Sequence, residues 1–200
     1  MKSLKDFVLR ENDIERNGHI YCKVCGKRVD GELLDLGFTK FIPRIKCECE
    51  IKIDKENAER EILTRISSLK RDCFSSPNQH QYTFERFLNE KGQAYKVAYN
   101  YAKSFEQMKE DNVGLLFYGD VGSGKTYLAC SIANELIERK QVKVKIMNLS
   151  QVINQIQKSA FKLDSNEIID NLSNIPLLIL DDLGIERDTS YAREQVYNII

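Results

Sequence analysis

The sequence lacks the features that mark secreted, membrane and strongly basic proteins. It contains no run of 18 consecutive apolar residues, so no membrane-spanning helix is expected. Its first residues, MKSLKDFVLREND, include no apolar stretch long enough for a signal peptide, which favours a cytoplasmic protein. The 30 basic and 30 acidic residues balance, so the overall charge does not indicate a nucleic-acid-binding protein.

Cysteine is present in a pattern that suggests metal binding. In a reducing compartment the six cysteines are expected to be thiols and not disulfides. Four of them form two close pairs, Cys22 with Cys25 and Cys47 with Cys49. Four thiolates in two pairs can hold Zn²⁺ in a tetrahedral site, and the metal would supply folding energy to a small module.

Other interpretations of the cysteines remain open at this stage. The four could be buried free thiols or a redox pair. His19 lies three residues before Cys22 and could replace one ligand, although a surface histidine is the simpler interpretation. Cys73 and Cys130 stand alone in the sequence and are predicted to be packing residues.

A glycine-rich segment, GDVGSGKT, fits the phosphate-loop pattern G-x-x-x-x-G-K-[ST] at every fixed position. Glycines let the backbone turn tightly and bring its N–H groups close to phosphate oxygens. Lys125 is expected to reach the β- and γ-phosphates of ATP, and the hydroxyl of Thr126 to ligate Mg²⁺. The alternative is a glycine-rich turn that only connects a strand to a helix. The predicted nucleotide-binding residues are Gly119, Asp120, Val121, Gly122, Ser123, Gly124, Lys125 and Thr126.

Two carboxylates follow an apolar run in LLILDD, residues 177–182. Ligands of open α/β sheets bind at the carboxyl ends of strands. Asp181 is therefore predicted to hold Mg²⁺, and Asp182 to orient or activate the attacking water. With Lys125 they form the predicted catalytic set. The alternative is a pair of solvated aspartates in a turn before Gly184.

Strands and helices alternate in the C-terminal half, which predicts an α/β fold with a parallel sheet covered by helices. Strands are predicted over 113–118, 143–147 and 177–182, and helices over 55–71, 91–109, 125–139, 150–159 and 190–200. The helix over 125–139 should turn Leu128, Ala129, Ile132, Ala133, Leu136 and Ile137 inward. The predicted domains are a zinc-binding module (1–54), a helical connector (55–111) and a P-loop ATPase core (112–200).

Three segments in this order resemble one family: YTFERF (82–87), GDVGSGKT, and LLILDDLGIERDTSYAREQVYNII (177–200). Together with the cysteine pairs they look like the DnaC/DnaI family of replicative helicase loaders, which are AAA+ ATPases related to the IstB transposition helpers. The resemblance implies ATP and Mg²⁺ at the phosphate loop, and an N-terminal zinc module that contacts a replicative helicase. It also implies single-stranded DNA binding and self-association through the AAA+ domain.

In that family the sheet continues beyond the acidic strand, with a sensor strand between the phosphate-loop strand and the acidic strand. This sequence ends at Ile200, inside a predicted helix, so a fragment of a longer protein is expected. Arg187 and Arg193 could stand in for the family's arginine finger, but surface arginines are the default interpretation.

Three alternative functions are weighed against helicase loading. A transposition helper would bind a transposase and duplex DNA. A small-molecule kinase would need an arginine-rich lid, and residues 140–176 contain no arginine. A non-enzymatic zinc adaptor would bind its partner through residues 1–54 while the ATPase half stayed inert.

Overall fold

The computed structural model describes residues 9–88, 92–148 and 171–182. The chain forms two compact units, Met1–Leu63 and Thr64–Ile200. The helices predicted over 150–159 and 190–200, together with Arg187 and Arg193, lie outside the described residues. Among the described residues, no helix has both the length and the apolar character to cross a membrane.

The first unit is built from two small antiparallel hairpins. Strand β1 (Asp13–Arg16) pairs with β2 (His19–Cys22), and β3 (Leu34–Asp35) pairs with β4 (Lys40–Phe41). Asn17 and Gly18 connect β1 to β2, both at positive φ (51° and 74°). Two consecutive positive φ angles are the geometry of a tight hairpin turn, which Asn-Gly adopts readily. The core of this unit is small and includes two of the paired cysteines: Ile20, Cys22, Val29 and Cys47.

Buried ion pairs reinforce this small core. The Arg44 guanidinium donates two hydrogen bonds to Asp13, with Nε 2.9 Å from Oδ2 and Nη2 2.7 Å from Oδ1. The side chain of Asp13 is fully buried and that of Arg44 is 12% exposed. The hydrogen bond from Arg44 lowers the pKa of Asp13. Losing one partner of such a pair would leave an uncompensated buried charge, which is strongly destabilising.

Helix α1 (Glu48–Cys73) is longer than the predicted helix over 55–71. It begins directly at the second cysteine pair. The Cys47 amide donates to Glu50 Oε2 at 3.1 Å, and the Ile51 amide donates to Cys47 O at 3.0 Å. Cys47 is thus the N-cap residue, and the glutamate three residues later caps its amide. The division between the two units, after Leu63, falls within this helix.

The second unit starts with the end of α1 and a connector of two short 3₁₀ helices, Pro77–Gln81 and Phe84–Arg86. The prediction of one helix over 91–109 was wrong in one respect. The structure has two helices, α2 (Gln93–Lys103) and α3 (Phe105–Glu110), separated by Ser104. Ser104 departs from helical geometry, with φ −96° and ψ 21°.

The central helix and two strands agree with the sequence. Helix α4 (Lys125–Lys140) matches the prediction to within one residue, and the six residues expected to face inward are all buried. Strands β5 (Val144–Asn148) and β6 (Leu177–Asp181) pair in parallel, with Asn148 opposite Asp181. The carboxyl ends of both strands therefore lie at the same edge of the sheet. Apolar residues of α2, α3, α4 and β5 form the core of this unit.

The strand predicted over 113–118 is not a strand in the structure. An apolar run adopts a strand only when a neighbouring strand accepts its backbone hydrogen bonds. Among the described residues, β5 and β6 pair only with each other, and 113–118 joins neither. Leu116 and Tyr118 are largely exposed, at 74% and 89%, while Phe117 packs against the core.

Candidate nucleotide-binding and metal-binding sites

The phosphate loop follows the exposed segment 113–118 and leads directly into α4. Its three glycines all have positive φ: 139° at Gly119, 81° at Gly122 and 89° at Gly124. This backbone geometry is strained for residues with a side chain, which explains why glycine occupies these positions. Gly124 is the N-cap of α4, so the loop lies at the positive end of a 16-residue helix.

The side chain of Lys125 folds back over this loop. Its ammonium donates to the carbonyl oxygens of Gly119 at 2.9 Å and Asp120 at 2.8 Å, and lies 3.5 Å from Ser123 Oγ. The cation therefore lies among oxygen atoms of the loop itself. A negatively charged phosphate could replace these carbonyl oxygens as the partner of the ammonium, because it would bind lysine more strongly than neutral carbonyls do.

Thr126 and Asp181 meet although 55 residues separate them in the sequence. Thr126 lies in the first turn of α4 and Asp181 at the end of β6. The Thr126 hydroxyl donates to Asp181 Oδ1 at 3.2 Å. The Asp182 amide donates to the same oxygen at 3.1 Å. Asp182 itself has a positive φ of 57° and is exposed.

Two buried thiols, Cys73 and Cys130, belong to the core of this unit. Burial, with a further contribution from the nearby Asp181 carboxylate, raises the pKa of Cys130 to about 12. Burial and the neighbouring Cys130 likewise raise the pKa of Cys73 to about 12. Both side chains are at most 1% exposed. They are neutral packing groups at physiological pH, as the sequence predicted.

The connector before the phosphate loop contacts α4, and the sequence reasoning did not assign these contacts a role. The buried Asn134 donates from Nδ2 to Gln79 O at 2.9 Å and Tyr82 O at 3.0 Å. The Phe87 ring lies against Gly124 and beside Tyr127. In the sequence, the motif YTFERF carries only a family resemblance. Its aromatic spacing was the one available signal of a packing role.

The four paired cysteines come together in the first unit. The sulfur atoms of Cys22, Cys25, Cys47 and Cys49 all lie within 4.8 Å of one another. Cys22 Sγ is 3.5 Å from Cys49 Sγ, and Cys47 Sγ is 3.0 Å from Cys49 Sγ. A tetrahedral Zn²⁺ site with Zn–S bonds of about 2.3 Å has S···S separations of about 3.8 Å. The cluster therefore fits the size and chemistry of such a site.

The backbone around this cluster favours thiolates. Hydrogen bonds from the amides of Cys25 and Val24 lower the pKa of Cys22 to about 7. Cys47 and Cys49 lie at the N-terminus of α1, which also favours negative charge, whereas burial raises the pKa of Cys47. The hydrogen bond with Cys47 instead raises the pKa of Cys49. Four sulfurs this close cannot all ionise together without a cation between them.

His19 has a different role from the possible ligand considered above. Its Nδ1 lies 2.8 Å from Asp30 Oδ2. Asp30 is buried and also accepts from the Ile20 amide at 2.9 Å and from Arg28. Burial alone would raise the pKa of Asp30, but the hydrogen bonds from Arg28 and His19 lower it. His19 therefore belongs to a hydrogen-bond network around the buried Asp30.

Comparison with known proteins decides the family of the second unit. The model of the bacterial DnaA ATPase domain matches residues 78–200. The chain belongs to this family. The matched residues include the second 3₁₀ helix of the connector, the phosphate loop and Asp181, and this part of the chain is an AAA+ ATPase domain.

Curated relatives of this DnaA-type chain include two helicase loaders. It is 31% identical over 101 residues to the replicative helicase loader DnaI of Bacillus subtilis, and 26% identical over 103 residues to the loader DnaC of Escherichia coli. Each alignment covers 50% of this chain, and 32% and 41% of the respective relative. The uncharacterized protein YdaV of Escherichia coli is 30% identical over 159 residues, 76% of this chain and 59% of YdaV. The chain thus spans less than two thirds of the length of each of these relatives.

Proposed function

We propose that residues 119–126 bind ATP with Mg²⁺ and that the intact protein is an ATPase that loads a replicative helicase onto single-stranded DNA, with ATP hydrolysis as the switch. The observation that carries the nucleotide site is the contact between Thr126 Oγ1 and Asp181 Oδ1 at 3.2 Å. A hydroxyl and a carboxylate at a helix N-terminus and a strand end form the metal-holding half of a P-loop site.

The residues present fit Mg²⁺ and a triphosphate. Magnesium prefers oxygen ligands and is commonly held by one or two protein groups together with substrate phosphates. Thr126 and Asp181 would hold it, and its charge would offset the negative charge that develops on the phosphates. Lys125 would bind the β- and γ-phosphates, and the amides of the loop would orient them. Asp182 would orient the attacking water from the same sheet edge.

The cysteine cluster completes the proposed cofactor set. Cys22, Cys25, Cys47 and Cys49 would hold a structural Zn²⁺ ion. The support is the close grouping of their four sulfurs and the backbone amides that stabilise thiolate at Cys22. Since the apolar core of this unit includes only four buried residues among those described, the metal would contribute much of the unit's folding energy.

The helicase partner is supported by the named relatives, DnaI and DnaC, and by the order of the motifs. In this proposal the zinc unit contacts the helicase. The DnaA-type domain binds single-stranded DNA and self-associates, and the protein works in the cytoplasm. The chain spans only part of the length of these relatives. These steps are therefore proposed for the whole protein.

A loading assay tests this function. The replicative helicase of the same host would be incubated with circular single-stranded DNA, with and without the protein and ATP, and DNA-bound helicase would be measured after gel filtration. We expect the protein with ATP to increase bound helicase several-fold. Lys109→Ala removes an exposed lysine of α3, outside the phosphate-loop motif, and should load as the wild type does. Equal loading with and without the protein would contradict the proposal, and a response only to duplex DNA with a transposase would favour a transposition helper.

A further inference from the structure

We propose that Phe87 is a positioning residue for nucleotide binding, which holds the phosphate loop in its binding geometry through direct contact with Gly124. This inference rests on the proposed nucleotide site at residues 119–126. Phe87 lies 37 residues before Gly124 in the sequence and outside the phosphate-loop motif. Its effect on binding would act through the loop, not through contact with the nucleotide.

The contact between the ring and the glycine is close. A Cβ atom built on Gly124 would lie 3.0 Å from Phe87 Cε2 and 3.2 Å from Cζ. The ring therefore covers the face of Gly124 where a side chain would otherwise stand. Of the other two loop glycines, Gly122 has nothing within 4 Å of that position and Gly119 has only Ser123 Oγ. Of the three loop glycines, Gly124 is therefore the one that a side chain from outside the loop contacts.

The ring of Phe87 is itself held by two other aromatic residues. It stacks on Tyr95 with ring centroids 5.8 Å apart and an interplanar angle of 16°. The Phe87 ring also contacts Tyr127, and the centroids of these two rings are 5.3 Å apart. Tyr127 follows Thr126 in the first turn of α4 and stacks in turn on Tyr82, at 4.6 Å. Tyr82 and Phe87 therefore bind both ends of the YTFERF segment to the first turn of α4 and the loop before it.

A buried amide fixes the beginning of this segment. Asn134 is 1% exposed, and its Nδ2 donates to the carbonyl oxygens of Gln79, Tyr82 and Cys130. Asn134 lies in the middle of α4, and Gly124 is the N-cap of the same helix. The segment therefore runs along α4 from its middle to the phosphate loop. The hydrogen bonds of Asn134 fix the position of this segment, and they therefore help to keep the Phe87 ring in contact with Gly124.

The consequence for binding follows from conformational populations. Gly124 has a left-handed φ of 89°, which is one of several conformations that glycine adopts readily. Without the ring, the loop would populate other conformations in which its amides do not converge on a phosphate. The apparent dissociation constant rises as the binding-competent fraction falls. A fall of that fraction to about one tenth would weaken binding about tenfold.

The test compares Phe87→Leu with Tyr99→Leu in the full chain. Tyr99 belongs to the same aromatic cluster, stacked on Tyr95 at 6.0 Å and edge-on to Phe84 at 5.3 Å, but it is not among the side-chain contacts of the loop glycines. Dissociation constants would be measured for MgATP, MgADP and magnesium tripolyphosphate, together with the free energy of unfolding. We expect Phe87→Leu to weaken all three ligands by the same factor of about ten. Tyr99→Leu should lower stability without weakening binding.

Three outcomes would overturn the inference. The first is unchanged binding by a folded Phe87→Leu variant. The second is weaker binding of ATP with unchanged binding of tripolyphosphate, which would mean that the ring contacts the base. The third is equal weakening by Tyr99→Leu, which would mean a general loss of packing. Phe87→Met, with a flexible apolar side chain, replaces the leucine variant if that variant does not fold. Failure of the wild type to bind any of the ligands would instead contradict the proposed nucleotide site itself.

Discussion

The Thr126 hydroxyl lies 3.2 Å from Asp181 Oδ1, across 55 residues of sequence. Each residue is at the end of a regular element, Thr126 in the first turn of α4 and Asp181 at the end of β6. The two elements belong to the DnaA-type ATPase domain, and their ends bring a hydroxyl and a carboxylate to one edge of the sheet. The main predictions about nucleotide binding depend on this relationship.

Asp181→Asn should remove the magnesium dependence of ATP binding. The amide keeps the size of the side chain but lacks the negative charge that makes a carboxylate a strong ligand for Mg²⁺. We expect wild-type affinity for ATP to fall about tenfold or more when EDTA replaces Mg²⁺, a difference of at least about 1.4 kcal/mol. The variant should bind ATP equally with and without the metal. Titration of a fluorescent ATP analogue measures both constants.

The control for that variant is Asp111→Asn, at an exposed position after α3. It makes the same chemical change and should retain the full magnesium effect. If Asp181→Asn also retained that effect, Asp181 would not be the metal ligand.

Zinc content tests the cysteine cluster. The purified chain should contain one zinc ion per molecule, measured by atomic emission, because four thiolates make one tetrahedral site. Cys25→Ser should lose the metal, and Cys25 is suited to this test because its side chain is exposed and lies outside the buried cluster of this unit. Cys130→Ala, a buried thiol outside the cluster, should retain it. A Cys25→Ser variant with full zinc content, or a wild type without zinc, would contradict the assignment.

The buried thiols predict a loss of stability at alkaline pH. Burial raises the pKa of Cys130 to about 12, whereas a thiol in the unfolded chain titrates near 8.5. The stabilising effect of the neutral thiol is complete below the unfolded pKa and is lost as pH rises toward the folded pKa, because the unfolded state releases its proton first.

The free energy of unfolding of the wild type should therefore fall by about 2 kcal/mol more than that of Cys130→Ala between pH 8 and pH 10.5. Denaturant titrations under reducing conditions measure this difference. A parallel fall in both proteins would show that Cys130 ionises at its ordinary pKa in the folded chain.

The sequence predicted elements whose signals are local. The helix over 125–139 has apolar residues at helical spacing throughout, and the structure begins and ends it within one residue of the prediction. The strand over 177–182 is apolar and ends in two aspartates, and β6 ends at the first of them. The close grouping of Cys22, Cys25, Cys47 and Cys49 also followed from spacing alone.

The remaining features depend on contacts that spacing does not encode. Segment 113–118 is as apolar as β6, but a strand requires a partner, and none is present among the residues described. The early start of α1 depends on Glu50 capping the amide of Cys47, within a motif that had been interpreted only as a metal-ligand pair. The contacts of Asn134 and of Phe87 join segments far apart in sequence. No local pattern indicates such pairs.

The most direct test of the central claim is MgATP binding by the wild type, Lys125→Ala and Lys109→Ala. Lys125 is placed among the oxygens of the loop, and its loss removes the charge that would bind the β- and γ-phosphates. We expect submillimolar affinity in the wild type and in Lys109→Ala. Lys125→Ala should bind at least about 100-fold more weakly, as expected for the loss of two charge-assisted hydrogen bonds. Equal affinity in all three proteins would contradict the assignment of residues 119–126 as the nucleotide site.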